Sequence, residues 1–147
     1  MLQNEIMEKT FFENDIHVFG KTVTTFPLGI GDAFDELIKA TGDSATGRNY
    51  YGLSFVDARG NILYKVAAQE KYTGEAEKFN YETSTIEQGE YVFEVLKDWK
   101  NCTGEIKNIF QQMMNDEHTD KTKPCIEWYK SDDEMLCLMK TKQLSNI

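Results

Sequence analysis

One acidic residue near the C-terminus stands among apolar and aromatic neighbours. Residues 123–129 read KPCIEWY, so Glu127 is surrounded by cysteine, isoleucine, tryptophan and tyrosine. Burying an ionised carboxylate in such surroundings is costly unless the charge finds a partner, the pKa rises, or solvent reaches the group. Glu127 is therefore a candidate for binding a cation or exchanging protons. The alternative is a glutamate on an edge strand whose carboxylate lies in water.

Length, charge and cysteine content limit the classes of function. The chain has 147 residues, which fits one domain with a sizeable core. A net charge of -9 without a cluster of Lys and Arg argues against a nucleic-acid partner. Three cysteines without CxxC spacing indicate neither a disulfide framework nor a zinc site, and they suit a reducing compartment. Because no apolar run is long enough for a signal peptide or a membrane span, we expect a cytoplasmic protein without a membrane partner.

The first half of the chain predicts one strand, one helix and two further strands. Residues 16–26 are rich in β-branched side chains and predict a strand. Asp32 is a suitable N-cap for an amphipathic helix that ends at Gly42. Residues 50–55 and 62–68 then predict a hairpin around polar turn residues.

The second half of the chain predicts the same order of elements. Residues 70–78 are charged and predict an irregular linker, and residues 81–96 predict a strand interrupted at Gln88-Gly89. Thr103 can cap a second amphipathic helix, and a strand over 125–129 follows it. We expect residues 1–13 to be a lead-in or an added edge segment, and residues 14–147 to form the domain.

An offset of 76 residues relates the two helices. The apolar positions 30, 33, 34, 37 and 38 map onto 106, 109, 110, 113 and 114. The sequence therefore predicts an α+β fold, a tandem β-α-β-β repeat with halves at about 14–71 and 80–142. Its pseudo-twofold symmetry would place two helices on one face of an antiparallel sheet. A ligand could then bind on the other sheet face or in a cleft along the pseudo-twofold axis.

Strand alternation predicts which side chains share a face with Glu127. Cys125, Glu127 and Tyr129 should lie on one face of their strand, with the residues between them on the other. The same offset makes Tyr51 the counterpart of Glu127. Near the axis a tyrosine and a carboxylate from equivalent strands are therefore expected to approach each other.

Three segments together resemble the GyrI-like small-molecule-binding domain, the effector-binding module of multidrug-responsive bacterial transcription activators. They are Arg48–Phe55, Thr85–Phe93 and Cys125–Tyr129, and the resemblance covers roughly residues 14–142. It implies an aromatic-lined groove in which Glu127 faces lipophilic, often cationic ligands. This chain departs from the family pattern at Phe110, where tryptophan is frequent, and at Ala67-Ala68.

The main functional hypothesis is a stand-alone binding domain for lipophilic or cationic small molecules, acting as a sensor or a sequestering protein without a cofactor. A desolvated carboxylate attracts a cation, and each aromatic face adds roughly 0.5–2 kcal/mol of cation–π attraction. The candidate ligand-binding residues are Glu127, Tyr129, Tyr51, Trp99, Tyr64 and Phe110. Each aromatic residue among them could equally be an ordinary core or surface side chain.

Three other functions remain open. Some members of the family that the chain resembles are hydrolases of strained electrophiles, and Glu127 would then be the catalytic group. A tetrapyrrole-binding role would use His17 or His118, although both lie where a solvated histidine is expected. Inhibition of a protein partner through the acidic surface would need no pocket. No metal-ligand constellation or nucleophile triad is visible in the sequence.

Overall fold

The computed structural model describes residues 7–42 and 47–142, and this part of the chain holds eight strands and three α-helices. In chain order they are β1 (Glu8–Phe12), β2 (Ile16–Thr22), α1 (Ile30–Thr41), β3 (Tyr50–Val56), β4 (Ile62–Gln69), α2 (Glu75–Phe79), β5 (Glu82–Ile86), β6 (Gly89–Lys97), α3 (Thr103–Asn115), β7 (Cys125–Tyr129) and β8 (Glu134–Lys140). A 3-10 helix, Trp99–Asn101, precedes α3. Residues 1–6 of the predicted lead-in, 43–46 before β3, and 143–147 at the predicted end of the domain lie outside the described residues.

The eight strands form one curled antiparallel sheet in the order β1-β6-β8-β7-β3-β4-β2-β5. β3 and β7 are neighbours at its centre, and each strand of the unit β2-α1-β3-β4 has a counterpart in β6-α3-β7-β8 on the other side. The predicted fold class, an α+β tandem β-α-β-β repeat with pseudo-twofold symmetry, is confirmed.

Each unit is completed by a strand that precedes the other unit in the chain. β1 precedes the first unit but pairs with β6, with Thr10 opposite Tyr91. β5 precedes the second unit but pairs with β2, with Ser84 opposite Val18. Only residues 13–15 separate β1 from β2, although the two strands lie near opposite ends of the strand order. The sheet therefore has to curl, and the two units interlock at both of its ends.

The two long helices pack on the same face of the sheet. α1 buries Ala33 and Leu37 in one apolar cluster, and α3 buries Ile109 and Met113 in a second. Burial of these stripes stabilises each helix more than intrinsic propensity does. Among residues 7–42 and 47–142, no helix has the length and apolar character needed to cross a bilayer.

The face without helices is filled by its own side chains. Its cluster consists of strand residues only, and among its buried members are Val18, Tyr51, Leu53, Ile126 and Leu138. Because the curl of the sheet buries this cluster, the centre of the face is closed to a ligand, and only at its rim do Phe12 and Ile16 help to line a smaller cavity of about 500 Å³. Of the two locations considered from the sequence, the cleft between the helices is the open one.

The 76-residue offset holds for the helices but not for the strands. Leu37 and Met113 are equivalent buried positions, as predicted. In the sheet, however, Gly52 rather than Tyr51 lies opposite Glu127. A shift of one residue moves a side chain to the other face of a strand, so the predicted approach of Tyr51 to Glu127 is wrong. The reason is that the connection from helix to strand differs in length between the two units by an odd number of residues.

Two boundaries in the first unit differ from the predictions. β2 ends at Thr22, before the predicted end at Phe26, because the chain turns there: the Phe26 N–H donates to the Val23 carbonyl at 3.2 Å. α1 begins at Ile30, so Asp32 lies in its first turn instead of capping it. A carboxylate in that turn still stabilises the helix through the dipole.

The predicted linker 70–78 contains the short helix α2. Glu75, its first residue, makes a bidentate ion pair with Arg48, with nitrogen–oxygen distances of 2.9 and 2.7 Å. Both side chains are buried. The Glu75 carboxylate also accepts the Lys71 N–H at 2.8 Å. A sequence window that shows only charged residues could not reveal this partner, which lies 27 residues away.

Candidate functional site

A cleft of about 1420 Å³ lies between α1 and α3, with β3, β4 and β7 as its floor. Ligand pockets usually measure roughly 300–1,000 Å³, so this one can take a large or extended molecule. Eight aromatic side chains line it: Phe26, Phe34, Tyr50, Phe55, Tyr64, Trp99, Phe110 and Tyr129. The cleft is therefore suited to flat or bulky apolar groups.

The carboxylate of Glu127 lies in the floor of this cleft, on the central strand β7. The residue is 9% exposed. Its Oε1 accepts hydrogen bonds from the hydroxyls of Tyr64, at 2.6 Å, and of Tyr129. Oε2 receives no hydrogen bond from residues 7–42 and 47–142. One carboxylate oxygen is thus fixed by two phenols, and the other is left for a ligand or solvent.

The charge of Glu127 is not compensated by any basic side chain that the structure describes. Within the described ranges of the chain, its carboxylate forms no ion pair with Lys, Arg or His. Burial raises the pKa of Glu127, and the hydrogen bonds from Tyr129 and Tyr64 oppose that rise only in part. Burial, followed by the nearby carboxylate, raises the pKa of both tyrosines, so they remain donors. The site can accept a cation or a proton.

Gly52 makes room for the Glu127 and Tyr64 side chains on the neighbouring strands. A Cβ atom at position 52 would lie 2.0 Å from the Tyr64 hydroxyl oxygen and 2.6 Å from Glu127 Oε1. Tyr64 is 2% exposed, and its ring stacks on Phe26 with the centroids 5.2 Å apart. The close approach of the Tyr64 hydroxyl to Glu127 therefore depends on a residue without a side chain at position 52.

Five of the six predicted ligand-binding residues line the cleft. Glu127 and Tyr64 are in its floor, and Tyr129 lies between Phe34 and Trp99, with ring centroids 5.1 and 5.0 Å away. The Trp99 Nε1 donates to the Ser131 carbonyl at 3.0 Å, which fixes the indole at the wall. Phe110 also lines the cleft, although it is buried on the apolar stripe of α3.

The sixth predicted residue, Tyr51, lies on the opposite face of the sheet. It is buried beside Trp128, with the ring centroids 6.2 Å apart, and it does not line the cleft. Burial raises the pKa of Tyr51 to about 12. Its placement follows from the register of β3 and β7, which directs Tyr50 and not Tyr51 toward the helices.

Sequence reasoning missed four aromatic residues of the cleft, Phe26, Phe34, Tyr50 and Phe55. Phe34 belongs to the apolar stripe of α1, which was predicted as core. Tyr50 would have followed from the correct strand register. Phe26 lies in the turn before α1, and no periodicity marks a turn residue as part of a wall.

Neither histidine that was considered for tetrapyrrole binding lies in the cleft. His17 and His118 are both exposed and do not line it, and His118 Nδ1 contacts the Asp116 carboxylate at 3.0 Å. Across residues 7–42 and 47–142 no three His, Cys, Asp or Glu side chains are grouped as a metal site would require. Cys125 lines the cleft, but burial raises its pKa to about 11.

Comparisons with known proteins identify the fold of this chain but not its family. No protein-family model and no curated protein sequence matches the chain. Among solved structures, SAV2435 bound to tetraphenylphosphonium has a TM-score of 0.67 at 13% identity, covering 94% of each chain. A Staphylococcus aureus protein described as a bacterial transcription regulation protein has a TM-score of 0.66 at 12% identity, covering 95% of this chain and all of its own.

A third solved structure, a hydrolase from Listeria innocua, has a TM-score of 0.59 at 14% identity and covers 92% of this chain and 90% of its own. All three likenesses are far below the identity at which function can be transferred. They are consistent with a GyrI-like small-molecule-binding fold, while no sequence-level match confirms that the chain belongs to that family.

Proposed function

We propose that this protein binds lipophilic, cationic aromatic molecules in the cleft, with Glu127 as the charge partner. The observation that carries the proposal is the buried Glu127 carboxylate, which has two phenol donors and no basic partner among the described residues. A cation beside Oε2 would supply the missing charge compensation, and aromatic walls would add cation–π attraction of roughly 0.5–2 kcal/mol per ring.

The biological role we propose is that of a cytoplasmic sensor or sequestering protein linked to transcription regulation, as in GyrI-like effector-binding domains. Two neighbours of the same fold support this role: one is a complex with the lipophilic cation tetraphenylphosphonium, and the other is described as a transcription regulation protein. The net charge of -9 suits a small-molecule partner better than direct contact with nucleic acid.

The test compares tetraphenylphosphonium with the neutral triphenylphosphine oxide by isothermal titration calorimetry. We expect the wild-type protein to prefer the cation, and Glu127→Gln to weaken cation binding about tenfold, or 1.4 kcal/mol, with little effect on the neutral compound. Glutamine keeps an oxygen acceptor for Tyr64, so the variant removes charge with little change of shape. Equal affinities for the two compounds, unaltered by the substitution, would reject the mechanism.

A second function is favoured by the raised pKa of Glu127 beside two phenol hydroxyls. A carboxyl group that titrates nearer neutrality can transfer protons or attack a strained electrophile, and one neighbour of the same fold is a hydrolase. Incubation with epoxide or cyclopropane substrates separates the two functions. Turnover that disappears in Glu127→Ala would favour the hydrolase, whereas recovery of intact compound would favour the binding protein.

A further inference from the structure

The two oxygens of the Glu127 carboxylate have different surroundings. Oε1 accepts both phenol hydroxyls, that of Tyr64 at 2.6 Å and that of Tyr129. Two donors occupy the lone pairs of this oxygen. Oε2 accepts no hydrogen bond from residues 7–42 and 47–142. The carboxylate therefore has one satisfied oxygen and one open acceptor.

The open oxygen can be reached from the cleft. Among the described residues, the side-chain polar atoms that are fully enclosed and lack a hydrogen bond are Arg48 Nε and Trp128 Nε1. Oε2 of Glu127 is not one of them, so it keeps some accessible surface. Because Glu127 lines the cleft, a molecule bound there can contact this atom.

The other aromatic donors of the cleft already have acceptors. The Trp99 indole N–H donates to the Ser131 carbonyl. Thr41 gives its own hydroxyl proton to the Leu37 carbonyl, so the Tyr50 hydroxyl, 2.7 Å from Thr41 Oγ1, is the donor in that contact. In the part of the chain that the structure describes, no aromatic donor of the cleft is left for Oε2.

The thiols beside Glu127 do not supply a strong donor either. Cys137 lies opposite Glu127 on β8, and Cys125 precedes it by two residues on β7. A thiol is a weak hydrogen-bond donor. A strong donor for Oε2 therefore has to come from solvent or from the ligand.

We infer that the preferred ligands are aromatic molecules with a protonated amine, whose N–H donates to Oε2 of Glu127. This inference rests on the proposed function and specifies its ligand class. A protonated amine supplies both the positive charge and the missing donor, whereas a quaternary ammonium or a phosphonium supplies the charge alone. A ligand that covers Glu127 also displaces water, and an acceptor that it covers without a hydrogen bond weakens binding.

The experiment compares two isomeric cations by isothermal titration calorimetry at neutral pH. Both carry a naphthylethyl group, which is attached to a protonated ethylmethylamine in one and to trimethylammonium in the other. The two share formula, charge and aromatic group, but only the first has an N–H. Wild-type protein should bind the amine about tenfold more tightly, as expected for one hydrogen bond to a charged group.

Glu127→Gln should remove this preference. Tyr64 and Tyr129 would donate to the amide oxygen, so the amide nitrogen takes the place of Oε2 and cannot accept a hydrogen bond. We expect the variant to bind the amine about a hundredfold more weakly and the quaternary cation about tenfold more weakly.

Asp35→Asn is the matched control, because Asp35 is an exposed carboxylate of α1 that lines the same cleft. This variant removes an equal charge without touching Oε2. It should change both affinities alike and keep the tenfold ratio. An amine that instead donated to this carboxylate would lose its advantage here.

The outcomes separate the inference from the proposed function. If wild-type protein binds the quaternary isomer as tightly as the amine, or if the preference persists in Glu127→Gln or vanishes in Asp35→Asn, the ligand class is overturned; the cation site stands if Glu127→Gln weakens both compounds. If neither compound binds, or if Glu127→Gln changes neither affinity, the proposed function fails and the ligand class fails with it.

The comparison in the wild-type protein does not depend on the folding of a variant. Because the isomers are matched in size and charge, equal affinities there refute the inference by themselves. A tenfold preference for the amine that disappears in Glu127→Gln and persists in Asp35→Asn supports it.

Discussion

Replacing Gly52 by alanine should disturb the candidate site through a single methyl group. The new Cβ would lie 2.0 Å from the Tyr64 hydroxyl oxygen and 2.6 Å from Glu127 Oε1, against an ordinary contact of about 3.5 Å. Tyr64 is buried and stacks on Phe26, so a movement of its hydroxyl would disturb that stacking. Either the hydrogen bond between Tyr64 and Glu127 breaks or β3 moves away from its neighbours.

The expected cost in stability can be worked out from these two responses. Overpacking a well-packed core costs about 1–3 kcal/mol, and loss of a buried hydrogen bond to a charged group about 1.5–3 kcal/mol. The reduced entropy of the unfolded chain returns about 0.4–1 kcal/mol. Either response alone, less this return, should lower the free energy of unfolding of Gly52→Ala by about 1–2.5 kcal/mol, a shift of about 0.5–1 M in the urea midpoint for an m-value of about 2 kcal/mol/M.

Urea unfolding followed by circular dichroism measures this shift, and calorimetry with tetraphenylphosphonium measures the effect on the site. Gly104→Ala is the matched control, because Gly104 lies in α3 with nothing within 4 Å of its added Cβ. That variant should be neutral or more stable by up to about 1 kcal/mol. If Gly52→Ala unfolded at the wild-type midpoint and bound the cation equally well, the close contact around Glu127 would be refuted.

Three further predictions concern ionisable groups. The folded-state pKa of Glu127 is raised, so the stability of the wild-type protein relative to Glu127→Gln should fall as pH rises from about 4.3 toward that pKa. Urea midpoints of both proteins measured across this pH range test the prediction. A difference in stability that stays constant with pH would contradict it. Arg48→Leu should cost about 3–5 kcal/mol by leaving buried Glu75 unpaired, and adding Glu75→Leu should restore most of it; thermal melts that order the two variants oppositely would refute the pair's role. Cys125, buried with its pKa raised to about 11, should react with iodoacetamide at pH 7.5 far more slowly than half-buried Cys102; peptide mass spectrometry that finds equal rates would contradict this.

Features that depend on local periodicity could be predicted from the sequence. The stripes that place Leu37 and Met113 inward recur every three or four residues, so they identify both helices without knowledge of their partners. The apolar and aromatic residues around Glu127 left two possibilities, a buried carboxylate or an edge-strand glutamate in water. The second is wrong, because Glu127 is buried on the central strand β7. The repeated order of strands and helices then determined the fold class.

Features that depend on distant partners could not be predicted in this way. Tyr64 and Glu127 are 63 residues apart, and their hydrogen bond depends on the pairing of β3 with both β4 and β7. A pattern read along one strand shows which residues share a face but not which residue of the next strand lies opposite. A prediction one residue out of register places Tyr51 beside Glu127. In the structure the residue opposite Glu127 is Gly52, which has no side chain.

The crossed pairing of β1 and β5 has a consequence for how such a protein could arise. Consider a single β-α-β-β unit together with the strand that precedes it. That strand could not pair with its own unit, because in this fold it pairs only with the other unit. Alone, the unit would expose two unsatisfied backbone edges, and it would satisfy them by exchanging strands with a second copy. The present chain has the strand pairing that covalent fusion of such a strand-exchanged dimer would produce. Fusion frees the two copies to diverge, so that one can carry a glutamate where the other carries a glycine.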